Sequence, residues 1–194
     1  MPTDRDRAKI GLLPLYLKSL DDREPQRRQR VEAFYRQIAA ELDRRGVEVL
    51  TSPLARLRPE FEDAVRAFER SGVEAIVTLH LAYCPSLESA ESLARSPLPL
   101  IVCDTTPAPS CGPEQDPLEL AYNHGTQGVR DLCKLLLRYG KPVHVEAGHW
   151  QKSDVLKRVV RRVQSARMAA RVRTLRAGLV GEPAAGMGDC YVSP

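Results

Sequence analysis

Short runs of aliphatic and β-branched residues recur along this chain, and each stops abruptly at turn residues, histidine or proline. Ile76-Val77-Thr78-Leu79 gives way to His80-Leu81-Ala82-Tyr83-Cys84-Pro85. Leu100-Ile101-Val102-Cys103 ends in Asp104-Thr105-Thr106-Pro107, and Val143-His144-Val145 ends in Gly148-His149-Trp150-Gln151. Runs of this length, apolar on both faces and separated by helical patterns, read as buried parallel strands. The alternation predicts a doubly wound, mainly parallel sheet with helices on both faces, a three-layer α/β/α fold of flavodoxin/Rossmann-like type. In such a sheet the carboxyl ends of the strands share one edge, where ligands bind. Topology alone therefore gathers the polar and aromatic residues that follow each run onto one rim.

The expected elements follow from local signals. The first strand spans Ala8 to about Leu13 and is ended by Pro14. A helix runs from about Gln26 to Arg45 and stops at Gly46. Val47 to Leu50 forms a strand, and Pro59 opens a helix reaching Ser71-Gly72, with Phe61, Val65 and Phe68 on its apolar face. Strand three covers Ala75 to Leu79, followed by a short helix from Ser86 to Arg95. Strand four covers Leu100 to Cys103 and leads into a Pro-rich loop, Thr106 to Pro117. A helix from about Gly125 to Tyr139 ends at Gly140, strand five covers Val143 to Glu146, and a basic helix fills about Ser153 to Arg173. A last strand is expected at about Leu175 to Val180. Residues 1–175 read as one α/β domain. Residues 176–194 read as the start of a second domain cut short, because Cys190-Tyr191-Val192 resembles the opening of a further strand.

Charge is unevenly spread. The chain of 194 residues carries a net +4, but residues 152–176 hold nine basic side chains against Asp154 alone. That segment carries +8, leaving −4 for the rest. A basic face of this kind suits phosphate neutralisation. Against nucleic-acid binding stand the missing interleaved aromatics and the stripe Val155, Val159, Val163, Ala166, which marks a helix packing on something. The expectation is a solvated or subunit-contacting helix. The five cysteines are odd in number and never paired as C-x-x-C, which argues against a disulfide framework or a thiolate zinc site. No apolar stretch approaches a membrane span, and the charged start Met1-Pro2-Thr3-Asp4-Arg5 has no apolar signal segment, so a cytoplasmic protein without membrane partners is expected.

The candidate functional residues each carry two readings. His124 stands at a helix start behind Asn123, a plausible N-cap, where the helix dipole disfavours imidazolium. A neutral imidazole there either meets a ligand hydroxyl or serves as a further capping group. Tyr83 offers a flat face to a sugar ring or packs under the next helix. His80 reads as a structural histidine and Cys84 as a buried filler. Trp150, the one tryptophan, walls the rim or closes a junction with a following domain, in which case an exposed apolar patch near Trp150 and Met187 is expected. Asp104 is the one carboxylate at its strand end, so no acid–base pair is in view. Gly186-Met187-Gly188-Asp189 comes too late for a dinucleotide loop, the first turn has no phosphate-cradling glycines, and there is no P-loop.

Taken in order, His80-Leu81-Ala82-Tyr83-Cys84-Pro85-Ser86, Asp104-Thr105-Thr106-Pro107, Asn123-His124-Gly125, Gly148-His149-Trp150-Gln151 and Gly186-Met187-Gly188-Asp189 resemble the amino-terminal half of the L-arabinose/L-fucose isomerase family. The early Leu15-Tyr16 also fits. Members of that family interconvert an aldose and its ketose with a divalent metal, usually manganese. The resemblance implies that His124 reaches a substrate hydroxyl in a neighbouring subunit. It also implies that Leu15, Tyr16, Tyr83 and Met187 lie near that shared site; Trp150 joins them as a candidate substrate contact on the reading that it walls the rim. The family's metal ligands and acid–base carboxylates lie in later domains, so this chain is expected to hold no metal or catalytic carboxylate. The expectation is a substrate-contacting module working as a homo-oligomer or beside C-terminal domains. The alternative is a stand-alone, non-catalytic α/β module that binds a sugar or polyol.

Overall fold

A computed structural model describes residues 7–110, 112, 117–178, 181 and 186. Five strands, β1 (Ala8–Leu15), β2 (Val47–Thr51), β3 (Ala75–His80), β4 (Leu100–Asp104) and β5 (Val143–Ala147), form one sheet. Their order is β2-β1-β3-β4-β5, and every pairing is parallel. The seven helices of the described residues are α1 (Lys18–Arg23), α2 (Arg28–Arg44), α3 (Arg58–Arg70), α4 (Ser86–Arg95), α5 (Pro117–Asn123), α6 (Gly125–Arg138) and α7 (Val155–Thr174). The strand order reverses beside β1, so the ligand-binding crevice of a doubly wound sheet opens at the carboxyl ends of β1 and β3.

Alternation along the strands sorts the core into two layers. Ile10, Leu12, Val77, Leu79, Ile101 and Cys103 pack under α2 and α7 with Ile38, Leu42, Val159 and Val163. Leu13, Leu15, Ile76 and Leu100 pack under α3, α4 and α6 with Phe61, Phe68, Leu93 and Leu132. Fully apolar central strands are what burial on both faces demands. No helix among the described residues is long and apolar enough to cross a membrane.

Three expectations fail for identifiable reasons. β1 does not end at Pro14 but continues to Leu15. The β2 ladder stops where Leu12 faces Thr51, so the side of Pro14 without an N–H has no strand partner to lose. The Pro14 carbonyl instead accepts from Ala55 N at 3.1 Å. The strand expected at about 175–180 does not form over its described part, since Leu175–Gly178 has no regular structure and follows directly on α7. Two short helices, α1 and α5, stand where no helix is expected, α5 at the end of the supposed Pro-rich loop. Six or seven residues hold too few turns to show a helical period.

Candidate functional site

The rim at the carboxyl ends of the strands divides into an exposed half and a closed half. The exposed half is built on β3, the loop behind it and the first turn of α6. Gly125 and Gly128 make that junction possible. A Cβ on Gly125 would lie 2.8 Å from the His80 carbonyl oxygen, and one on Gly128 would lie 2.7 Å from His80 Cδ2 and 3.2 Å from Cys84 N. The helix therefore sits directly on the backbone of the β3–α4 segment. This close approach brings the Tyr83 and His124 rings together, centroids 6.1 Å apart and planes tilted by 45°.

His124 is exposed and occupies the N-cap position of α6, without a capping hydrogen bond from its side chain. Asn123 is not the N-cap. It is the last residue of α5, and its side chain accepts from Ala108 N and donates to Glu119 O, bracing the loop behind β4. Tyr83 Oη donates to Asp131 Oδ2 at 3.3 Å. Partial burial and that carboxylate push the phenol above its ordinary pKa. A half-buried aromatic ring beside an exposed imidazole is equipment for stacking on a ring and exchanging hydrogen bonds with hydroxyls.

Beneath the pair, His80 is 3% exposed and neither ring nitrogen has a hydrogen-bond partner. Desolvation drives its pKa down to about 4, with only slight opposition from Asp131, so the ring is neutral and structural. Cys84 is buried and its thiol is pushed up to about 12, which makes it a poor nucleophile. Asp104, at the end of β4, accepts from Thr126 Oγ1 at 2.9 Å. Burial raises its pKa, and the Thr126 hydroxyl pulls in the other direction. It secures the first turn of α6.

The closed half lies on the α2 side. Tyr16 is wholly buried and Leu15 is 1% exposed, so neither side chain is open to a ligand in this structure. Burial raises the Tyr16 phenol to about 12, with Asp21 and Tyr122 adding to the shift. Trp150 is 8% exposed and meets Phe34 edge-on at 6.2 Å. Trp150 itself is thus not an exposed apolar surface, with Phe34 of α2 packed against it. His149 is occupied in the turn after β5, its Nδ1 accepting from Gln151 N and Lys152 N while Nε2 meets Pro107 O at 3.2 Å. Met187 lies outside the described residues. The rim thus brings Tyr83 and His124 together, buries Leu15 and Tyr16, and gives Trp150 other neighbours.

The basic helix α7 has an internal explanation for part of its charge. Val155, Leu156, Val159, Val160 and Val163 face the sheet. Arg158 and Arg162 bind the two carboxylate oxygens of the buried Glu146 on β5 at 2.9 and 2.8 Å. Arg167 pairs with Glu74. Among the described residues no group of three His, Cys, Asp or Glu side chains converges to hold a metal ion.

No family model matches the chain, and no match was found among curated proteins. The residues of this site that sequence reasoning missed are Gly128 and Asp131, together with the packing role of Gly125. The G-x-x-G spacing at a helix start was the available signal for close helix packing.

Proposed function

We propose that this chain is the amino-terminal, substrate-contacting domain of an aldose–ketose isomerase of the L-arabinose/L-fucose type. The observation that supports the reading best is the pairing of the half-buried Tyr83 with the exposed His124. It is made of two residues from the motifs that carry the resemblance, on the rim where open α/β sheets bind ligands. A sugar presents a flat C–H face to the Tyr83 ring and hydroxyls to the imidazole edge of His124. Both partners stay oriented because the Asp131 carboxylate holds the phenol and the glycine-mediated contact holds the first turn of α6.

Enediol isomerisation needs a carboxylate that moves a proton and a metal that polarises adjacent oxygens. The described residues of this chain do not fit manganese, since no three ligating side chains converge. The role assigned here is recognition: His124 and Tyr83 contact the sugar, and the reacting groups come from other domains or a neighbouring subunit, as the resemblance implies.

The test is calorimetric titration with pentoses, hexoses and their alditols, beside a manganese-supplemented assay for aldose–ketose conversion. The reading expects saturable sugar binding, weakened about tenfold in His124→Ala, and no conversion by the chain alone. Manganese-dependent turnover by the isolated chain, or binding indifferent to His124→Ala and Tyr83→Ala, overturns it.

A further inference from the structure

On the opposite face of the sheet from the Tyr83–His124 pair, a recessed cavity of about 240 Å³ opens between α2, α5 and the loops behind β3, β4 and β5. Its principal walls are Val31, Phe34, Leu81, Pro107, Tyr122 and Trp150, and none of its lining residues carries a carboxylate. It shares no lining residue with the 310 Å³ cavity beside Tyr83.

The walls are held in place before any ligand arrives. Tyr122 lies beneath the Arg30 guanidinium, 4.0 Å from the ring centroid, with Arg27 at 5.3 Å. Arg30 makes a two-pronged pair with Glu119 on α5, at 2.6 and 2.7 Å. Phe34 and Trp150 meet edge to face. The one cation on the lining is thus matched by a carboxylate outside it. A charged ligand would be desolvated without a counter-ion, which is costly. The uncharged polar groups on the lining are Gln37, the Tyr122 hydroxyl and the unpartnered Trp150 indole N–H, too few to match the hydroxyls around a sugar ring. An apolar cavity of about 150 Å³ takes up benzene, so this larger one has room for a substituted or fused ring.

We propose that this cavity is a second ligand site, specific for a small uncharged aromatic compound of one or two rings. Binding stacks the ring among Phe34, Tyr122 and Trp150 and removes apolar surface from water on both partners.

Trp150 is the one tryptophan in the chain, so its indole N–H resonance reports on this cavity alone. The experiment titrates ¹⁵N-labelled protein with toluene and benzamide, and separately with benzoate, benzylamine and a pentose. Toluene and benzamide are expected to shift the Trp150 resonance saturably at millimolar concentration, while the charged and saturated compounds leave it in place. Ala33 lines the cavity and is exposed, so Ala33→Leu crowds the site without disturbing the core and is expected to weaken binding about tenfold. His124→Ala is expected to leave ring binding unchanged. No saturable shift with either neutral ring overturns the proposal. So does an equal response to the pentose, or affinity indifferent to Ala33→Leu. None of these results bears on sugar binding at Tyr83 and His124.

Discussion

His80 shows how one side chain couples burial to stability. Its imidazole is neutral, unpartnered and enclosed by α6, with a pKa near 4 in place of an ordinary value near 6.5. The unfolded chain therefore takes up this proton first as pH falls. The full contribution of the neutral ring to stability is present above about pH 6.5 and is lost progressively down to about pH 4, a swing on the order of 3 kcal/mol. Urea unfolding across that window should show the fall, and His80→Leu should flatten it. A pH profile unchanged in His80→Leu would mean that other groups set the slope. The chemistry of His80 was legible in the sequence as structural, but its environment was not, because the two glycines that press on it come from a helix 45 or more positions along the chain.

At the scale of elements, two junctions bear the weight of the rim. The α6–β3 junction depends on absent side chains. Gly128→Ala puts a methyl 2.7 Å from the His80 ring, and α6 must lift. A loss of about 1–3 kcal/mol is expected, together with separation of Tyr83 from His124, measurable as weakened sugar binding on top of a lowered denaturation midpoint. The β5–α7 junction depends on charge: Glu146 is buried under Arg158 and Arg162. Glu146→Gln keeps the shape but removes the anion between the two guanidiniums, leaving Arg158 with Asp154 and Arg162 without its Glu146 partner. Its expected cost is about 1–3 kcal/mol, read by chemical denaturation. The sequence showed α7 as a basic helix with an apolar stripe; that some of its arginines neutralise Glu146 and Glu74 depends on strand register, which no local pattern specifies. The same reason explains α1 and α5, which are tied to residues outside themselves, Asp21 of α1 to Arg28 and Arg56 and Glu119 of α5 to Arg30, rather than marked by their own periodicity.

For the whole molecule, the two-layer core makes one prediction about cooperativity. Cys103 belongs to the α2–α7 layer and Cys84 to the α3–α4–α6 layer, and burial pushes both thiols up to about 12. Neither can form thiolate at the surface, so each should be labelled by a thiol reagent only through global unfolding. Peptide mapping of pulse-labelled protein is expected to show the two modified together, tracking the denaturation curve. Modification of Cys84 well before Cys103 would show that the α3–α4–α6 layer opens on its own.

The first five strands and their parallel direction were written in the sequence, because a strand buried on both faces must be continuously apolar and a parallel neighbour requires a helical crossover; their order in the sheet, and the lack of a strand over 175–178, were not. That rule also placed His80, Asp104, His124 and Trp150 at one edge. Which of them face water was decided only in three dimensions. Sides of the sheet alternate residue by residue, and helices from distant positions determine what is covered: α6 left His124 exposed and Tyr83 half-buried, while Phe34 of α2 packed on Trp150 and Tyr16 was buried outright. Exposure is a property of the packed whole, and the local pattern that builds each strand does not contain it.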